Sequence, residues 1–184
     1  EYGAFGAVRE AAGSALPGIA PTNAYRCADG GYAIVAGNGD SIFRRLMEAI
    51  GRHDLGAAPD LAHNPGRVAR VGEIDAAIEQ WTCSRRVDEA LEVLARARVP
   101  AGKVYTAKDI CEDPHYRARE MIVTQRTRDG HDLEVPGVVP KLSATPGTLR
   151  SPAPRLGQDT DSVLTEIGLS AAQIALLRSR GIVA

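Results

Sequence analysis

Asp40 is a residue whose type could do acid–base chemistry or simply cap a helix. It stands in GNGDSIFRRLMEAIG (37–51), where a glycine-rich turn meets a helical pattern. A carboxylate there has two uses. It moves a proton if a substrate comes within hydrogen-bond reach, or it caps the helix by accepting from N–H groups of its first turn, a task Asn38 could also perform. The other stretch with chemical potential is GSALPGIAPTN (13–23), loop-like in its glycines and prolines yet apolar. Gly13 and Gly18 can bring backbone close to a ligand, and Ser14 and Asn23 add polar side chains. The plainer use of that stretch is a connection between domains.

Other reactive residue types point away from a site. His53, His63, His115 and His131 lack metal-ligand spacing and lie among polar residues, which suits solvated or capping roles. GNG at 37–39 is too short for a phosphate loop, and no GxGxxG or GKS/T pattern follows it. Cys27, Cys83 and Cys111 form no CxxC or zinc spacing; three scattered cysteines fit reduced thiols, and the cytoplasm is the expected location. Trp81 lies on an apolar helical stripe and belongs to a core. Arg126 and Arg128 could meet phosphates, but an exposed hairpin face accounts for them more simply.

The elements that position these residues follow from local signals. NAYRC (23–27) and YAIVA (32–36) flank Asp29-Gly30 and predict a β-hairpin. Ile42, Phe43, Leu46, Met47 and Ile50 predict an amphipathic helix ending at Gly51. A polar stretch (51–66) leads to a second helix with Val71, Ile74, Ile78 and Trp81 on one stripe. Ser84 is expected to cap a third, carrying Val87, Leu91 and Leu94. RVPAGKVY (98–105) predicts a short strand, and Thr106 with Asp109 a capped helix through Cys111. Met121–Arg126 and Asp132–Val135 pair across Asp129-Gly130.

Beyond this the character changes. The stretch 136–157 carries five prolines, too many for regular structure, yet Val138, Val139 and Leu142 are too apolar for a free linker. It predicts an extended strap lying on another surface. Helices over 159–167 and 170–180 close the chain, the second opened by a Ser170–Gln173 capping box. The expected organisation is a connection and candidate active-site loop (1–22), a small α+β domain (23–135), the strap (136–155) and C-terminal helices (156–184). A strap so apolar needs a partner surface larger than that domain, so an upstream part is expected.

The 184 residues carry a net charge of -1 and are 44% hydrophobic, which gives no electrostatic footprint for nucleic acid and no polybasic membrane patch. The uncharged apolar runs are too short to span a bilayer.

Four blocks, in this order, resemble the family III CoA-transferases, also called the CaiB/BaiF family. They are GSALPGIAPTNAYRCADGGYAIVAGNGDSIFRRLMEAIGRHDL (13–55), VPAGKVYTAKDICEDPHYRAREMI (99–122), VPGVVPKLSATPG (135–147) and LGQDTDSVLTEIGLSAAQIALLRSRGIV (156–183). The resemblance implies a C-terminal half: a small α+β domain, then a strap returning to a Rossmann-like large domain that the tail helices help complete. It also implies a homodimer of interlocked subunits.

The chemistry so implied moves CoA from an acyl-CoA to a carboxylic acid through an enzyme aspartyl-CoA thioester. CoA is then a substrate, no cofactor is permanently bound, and no metal is needed. The family's nucleophilic Asp lies in the N-terminal half and has no match here, so the chain alone is expected to be inactive. Gly13–Asn23 falls where some members carry a glycine-rich loop that closes over the acyl group, with Gly13, Ser14, Gly18 and Asn23 as its substrate contacts. It is not the poly-glycine loop of formyl-CoA:oxalate enzymes and looks more like the branch using succinate, citramalate or itaconate. Asp40 matches a position where the family's racemases carry a catalytic Glu; the shorter Asp favours the transferase. The alternatives are a racemase or epimerase of the same fold, and a truncated, non-catalytic domain.

Overall fold

The computed structural model describes residues 2–184. By contacts the chain divides into two compact units, Glu1–Tyr105 and Thr106–Ala184. The division falls inside the segment 23–135 that the sequence reading keeps together.

In the first unit a short helix α1 (Tyr2–Phe5) precedes the loop. Strands β1 (Thr22–Arg26) and β2 (Tyr32–Ala36) then pair antiparallel from Thr22↔Ala36 to Arg26↔Tyr32. Gly30, at φ +80°, makes their turn, a conformation open to glycine at little cost. Helices α2 (Asp40–Ala49), α3 (His53–Ala57), α4 (Asn64–Ala69), α5 (Val71–Thr82) and α6 (Val87–Arg96) follow. Strand β3 (Ala101–Lys103) returns beside β2, giving the order β1-β2-β3.

Alternation along β2 sends Ala33 and Val35 inward and leaves Tyr32 and Ile34 exposed. The helices cover the inward face. Tyr25 and Val35 meet Phe43, Leu46 and Met47 of α2, Ile74 and Ile78 of α5, and Leu94 of α6 in one core.

Three expectations need correction. The stretch 51–66 is not simply polar connection: it holds α3, a single 3-10 turn at Pro59–Leu61, and the start of α4, with Leu55 and Leu61 wholly buried. These pieces are too short for periodicity to register. Gly66 permits their packing, because a Cβ there would lie 1.6 Å from the Asp60 carbonyl oxygen. Ser84 does not cap α6; its hydroxyl donates to Trp81 O at 2.8 Å. The first turn of α6 is instead met by Asp29 in the hairpin turn, whose carboxylate accepts from Val87 N at 3.2 Å and Gly31 N at 3.3 Å. Burial works against the charge on Asp29, but those N–H groups outweigh it and hold its carboxyl below the usual range. Nor does Asp40 or Asn38 cap α2, whose N-cap position is held by Gly39.

The second unit contains α7 (Ala107–Glu112), opened by the expected Thr106–Asp109 capping box, and α8 (Pro114–Ala118), capped by Asp113. Strands β4 (Ile122–Arg126) and β5 (Asp132–Pro136) pair antiparallel. A stretch without helix or strand runs to α9 (Thr160–Glu166) and α10 (Ala171–Ser179), whose Ser170–Gln173 capping box is formed. Lys141 in that stretch pairs with Glu120, and Arg155 pairs with Asp129. Ile174 is the one buried residue of this unit. No helix among the described residues is long and apolar enough to cross a membrane.

Candidate functional site

The loop 13–23 is held by its own neighbours along its length. Gly13 and Gly18 adopt φ of +62° and +80°, and a Cβ at either would meet nothing, so each glycine serves conformation rather than close approach. Leu16 N donates to Thr22 O at 3.2 Å, folding the loop back on the start of β1. Asn64, at the start of α4, pins its far side by accepting from Ala20 N at 3.1 Å and donating to Gly18 O at 2.9 Å. Beneath the loop lies a small, mainly apolar cavity of about 110 Å³, lined by Leu16, Pro17, Ile19, Val68 and Val71 with Asp75.

The two polar residues chosen from sequence meet directly: Ser14 Oγ donates to Asn23 Oδ1 at 2.6 Å. Asn23 Nδ2 donates onward to Asp75 Oδ2 at 3.2 Å, and Tyr25 OH donates to Asp75 Oδ1 at 2.7 Å. Burial, and then the bond to the Asp75 carboxylate, push the Tyr25 phenol far above its ordinary range, so it remains a donor. A hydrogen-bonded chain thus runs from the exposed loop to the core face of α5.

Asp40 does not cap α2. Gly39 occupies the N-cap position with extended backbone, Asp40 is already the first helical residue, and no side chain caps the helix. Its oxygens go instead to two side chains: Oδ1 accepts from Arg67 Nη2 at 2.7 Å, and Oδ2 lies 2.8 Å from His63 Nδ1. The Arg67 bond first, and the His63 bond second, hold its carboxyl below the usual range. A carboxylate so held is a weaker base than one left alone.

Arg67 is fully buried, and all five of its N–H groups have acceptors. Nε donates to Ala20 O at 3.1 Å, Nη1 to Leu61 O and Ala62 O at 3.1 Å each, and Nη2 to Asn38 O at 2.8 Å besides Asp40. Its guanidinium carbon lies 5.1 Å from the centre of the Phe43 ring. One side chain therefore ties the end of the loop, the turn before α2 and the turn before α4. Sequence reading missed Arg67, Asn64 and Asp75. Arg67 stands in NPGRVAR with Arg70 three residues on, and the local pattern does not separate the buried arginine from its neighbour, which pairs with Asp60 and Glu73. Asp75 carried a faint signal, being next to the apolar stripe position Ile74.

The structure thus places Gly13, Ser14 and Gly18 in one loop and Asn23 beside it in β1, with Asp40 linked to the loop's end through Arg67. Among the described residues no group of three or more His, Cys, Asp or Glu is arranged to hold a metal ion.

A family model described as CoA-transferase family III matches residues 1–160. The chain is 36% identical over its whole length to a succinyl-CoA–D-citramalate CoA-transferase of Chloroflexus aurantiacus, covering 46% of that enzyme. It is 34% identical over 99% of its length to the beta subunit of a succinyl-CoA–L-malate CoA-transferase of the same organism, again covering 46%. A crystal structure of a CAIB/BAIF family protein from Brucella suis superimposes on 90% of the chain with a TM-score of 0.72 and 30% identity, covering 42% of that protein. The chain spans about half the length of the relatives it matches.

Proposed function

Because this chain belongs to CoA-transferase family III, we propose that it forms part of an acyl-CoA:carboxylate CoA-transferase acting on dicarboxylic acids. The observation that carries this reading is the end-to-end likeness to two enzymes whose names pair succinyl-CoA with citramalate or malate. CoA thioesters are its substrates, and an aspartate supplied from outside this chain is its nucleophile.

In this mechanism the aspartate attacks the donor thioester carbonyl and expels CoA thiolate, leaving a mixed anhydride. The thiolate attacks the enzyme's own acyl carbon, which frees the donor acid and leaves an aspartyl-CoA thioester. The acceptor carboxylate repeats the two steps in reverse. Covalent catalysis divides a hard exchange into easier ones, and N–H donors aimed at the developing oxyanion supply much of the stabilisation.

This chain contributes the loop that borders the acyl group: Gly13 and Gly18 shape it, and Ser14 and Asn23 present its polar surface. The cavity beneath it, apolar but for Thr22 and Asp75, suits a loop that excludes water from a reactive anhydride. Asp40 is not assigned the racemase's proton transfer, since its oxygens are engaged by Arg67 and His63. The working protein is proposed to be an interlocked homodimer in the cytoplasm.

The test uses the full gene product and its intact mass before and after succinyl-CoA. A covalent CoA adduct released by hydroxylamine is expected, with faster turnover on citramalate or malate than on a monocarboxylate. Absence of an adduct across several acyl-CoAs would overturn the aspartyl-thioester route.

A further inference from the structure

We propose that Asp40 and Arg67 form a positioning pair that fixes the end of loop 13–23 for the reaction, with Asp40 acting through Arg67 rather than on the substrate. Four features carry this. Arg67 is wholly buried, so its charge needs a partner, and Asp40 is the acidic one among its five acceptors. The same guanidinium that holds Asp40 Oδ1 holds Ala20 O, the last carbonyl of the loop before Pro21. Pro21 O then accepts from Gly37 N at 2.9 Å, which brings the loop end against the turn leading to α2. The two are closely packed at that point: a Cβ on Gly37 would lie 2.5 Å from Leu46 Cδ2 and 3.0 Å from Pro21 Cγ.

The loop is therefore fixed at one end and held lightly at the other. Residues 18–21 are locked by Asn64, Arg67 and the Gly37 amide. Residues 13–17 depend on the exposed Ser14–Asn23 bond and the Leu16 amide. A loop built this way keeps its base in register while its outer part adapts to a ligand. Asp40 supplies the charge that keeps Arg67 oriented. A lysine at 67 could not replace it, because one ammonium has three donors and no planar fork to reach five acceptors.

The role in turnover rests on the reading that the loop borders the acyl group, while the linkage itself does not. Hydrogen exchange and kinetics on the full gene product separate them, using Asp40→Ala, Asp40→Asn and Arg67→Lys. Asp40→Ala should raise exchange at the Ala20 and Gly37 amides at least tenfold while the Ile50 and Cys83 amides, in helical hydrogen bonds, hold. It should also raise KM for acyl-CoA more than it lowers kcat. Asp40→Asn keeps an oxygen for Arg67 but not the charge, and should recover only part of both losses. Arg67→Lys should loosen the same two amides; if that variant does not fold, the two Asp40 variants decide alone. If Asn at 40 stops turnover as fully as Ala does, with the loop still protected, Asp40 acts on the substrate and the proposal falls. If exchange rises equally in loop and core, Arg67 is only a core residue and the proposal falls too. Loop amides loosened by Asp40→Ala with unaltered kinetics would confirm the linkage and overturn the placement of the loop at the acyl site.

Discussion

Leu46 and Leu156 are the same side chain in opposite situations. Leu46, in α2, is wholly buried among Tyr25, Phe43 and Ile78, whereas Leu156, just before α9, is 94% exposed. The contrast extends to the two units that carry them. In Glu1–Tyr105 the helices close one core over the sheet. In Thr106–Ala184, Leu133, Val139, Leu142, Leu156, Ile167 and Ile182 all stand exposed. Apolar area buried from water is the main favourable term in folding, so the first unit holds its own stability while the second has capped helices and a hairpin with little behind them. The irregular segment after β5, with Val139 and Leu142 exposed, is part of that difference.

The largest test of the contrast separates the units. Residues 2–105 expressed alone should unfold on heating in one cooperative transition, as a small domain with a closed core does. Residues 106–184 should give a helical signal that melts without one. A cooperative transition in the second piece would break the comparison. Next in size come single leucines. Leu46→Ala should cost about 2–5 kcal/mol, the range for emptying a well-packed site. Leu156→Ala should stay within about 0.5 kcal/mol, as exposed substitutions do. Urea denaturation of both variants of this chain measures the difference.

Glycines sharpen it further. Gly66→Ala sets a methyl against the Asp60 carbonyl, a backbone atom with no freedom to yield, and should cost about 1–3 kcal/mol as overpacking. Gly147→Ala also creates a close contact, 2.3 Å to Val138 Cγ1. That neighbour is a side chain in an exposed segment and can rotate away, so the loss should be smaller and is read from the same denaturation curves.

What the sequence disclosed is what is written locally. Both Asp-Gly hairpins, the helical stripes over 71–82 and 87–96, and the capping boxes at Thr106 and Ser170 lie within a few residues of their own signals. What stayed hidden is settled by distant chain. Asp29 meets the first turn of α6 from 58 residues away, and no local signal takes that task from Ser84. Asp40 suits an N-cap by type, but a guanidinium 27 residues on claims it. The candidate loop was legible as an oddity, in glycines and prolines among apolar residues. Its anchoring by Asn64, Arg67 and Asp75 was not, because each partner sits on a helix whose packing only the fold decides.

Acid offers the finest probe of the two regions, since each holds carboxylates kept below their ordinary range by basic neighbours. In the first unit these include Asp40 beside Arg67, Asp54 beside Arg52 and Asp60 beside Arg70. In the second they are Glu134 beside Arg117 and Glu120 beside Lys141. A carboxyl whose folded value is lowered binds its proton more readily when unfolded. Its stabilisation is thus complete above the ordinary carboxylate range of about 4 and is lost as pH falls through the lower folded value. The same loss has different consequences. Protonating Glu120 releases the irregular segment at Lys141, with no buried cluster beneath to hold it, whereas protonating Asp54 or Asp60 leaves the core of α2, α5 and α6 intact. Between pH 6 and pH 3, exchange corrected for intrinsic rate should rise a few-fold at the Gly137 amide, which donates to Met121 O, and hold at the Ile50 amide. Strong salt at pH 6 should loosen Gly137 in the same direction, because exposed pairs are screened. Parallel loss at both amides would mean that the first unit depends on its surface charges as much as the second does.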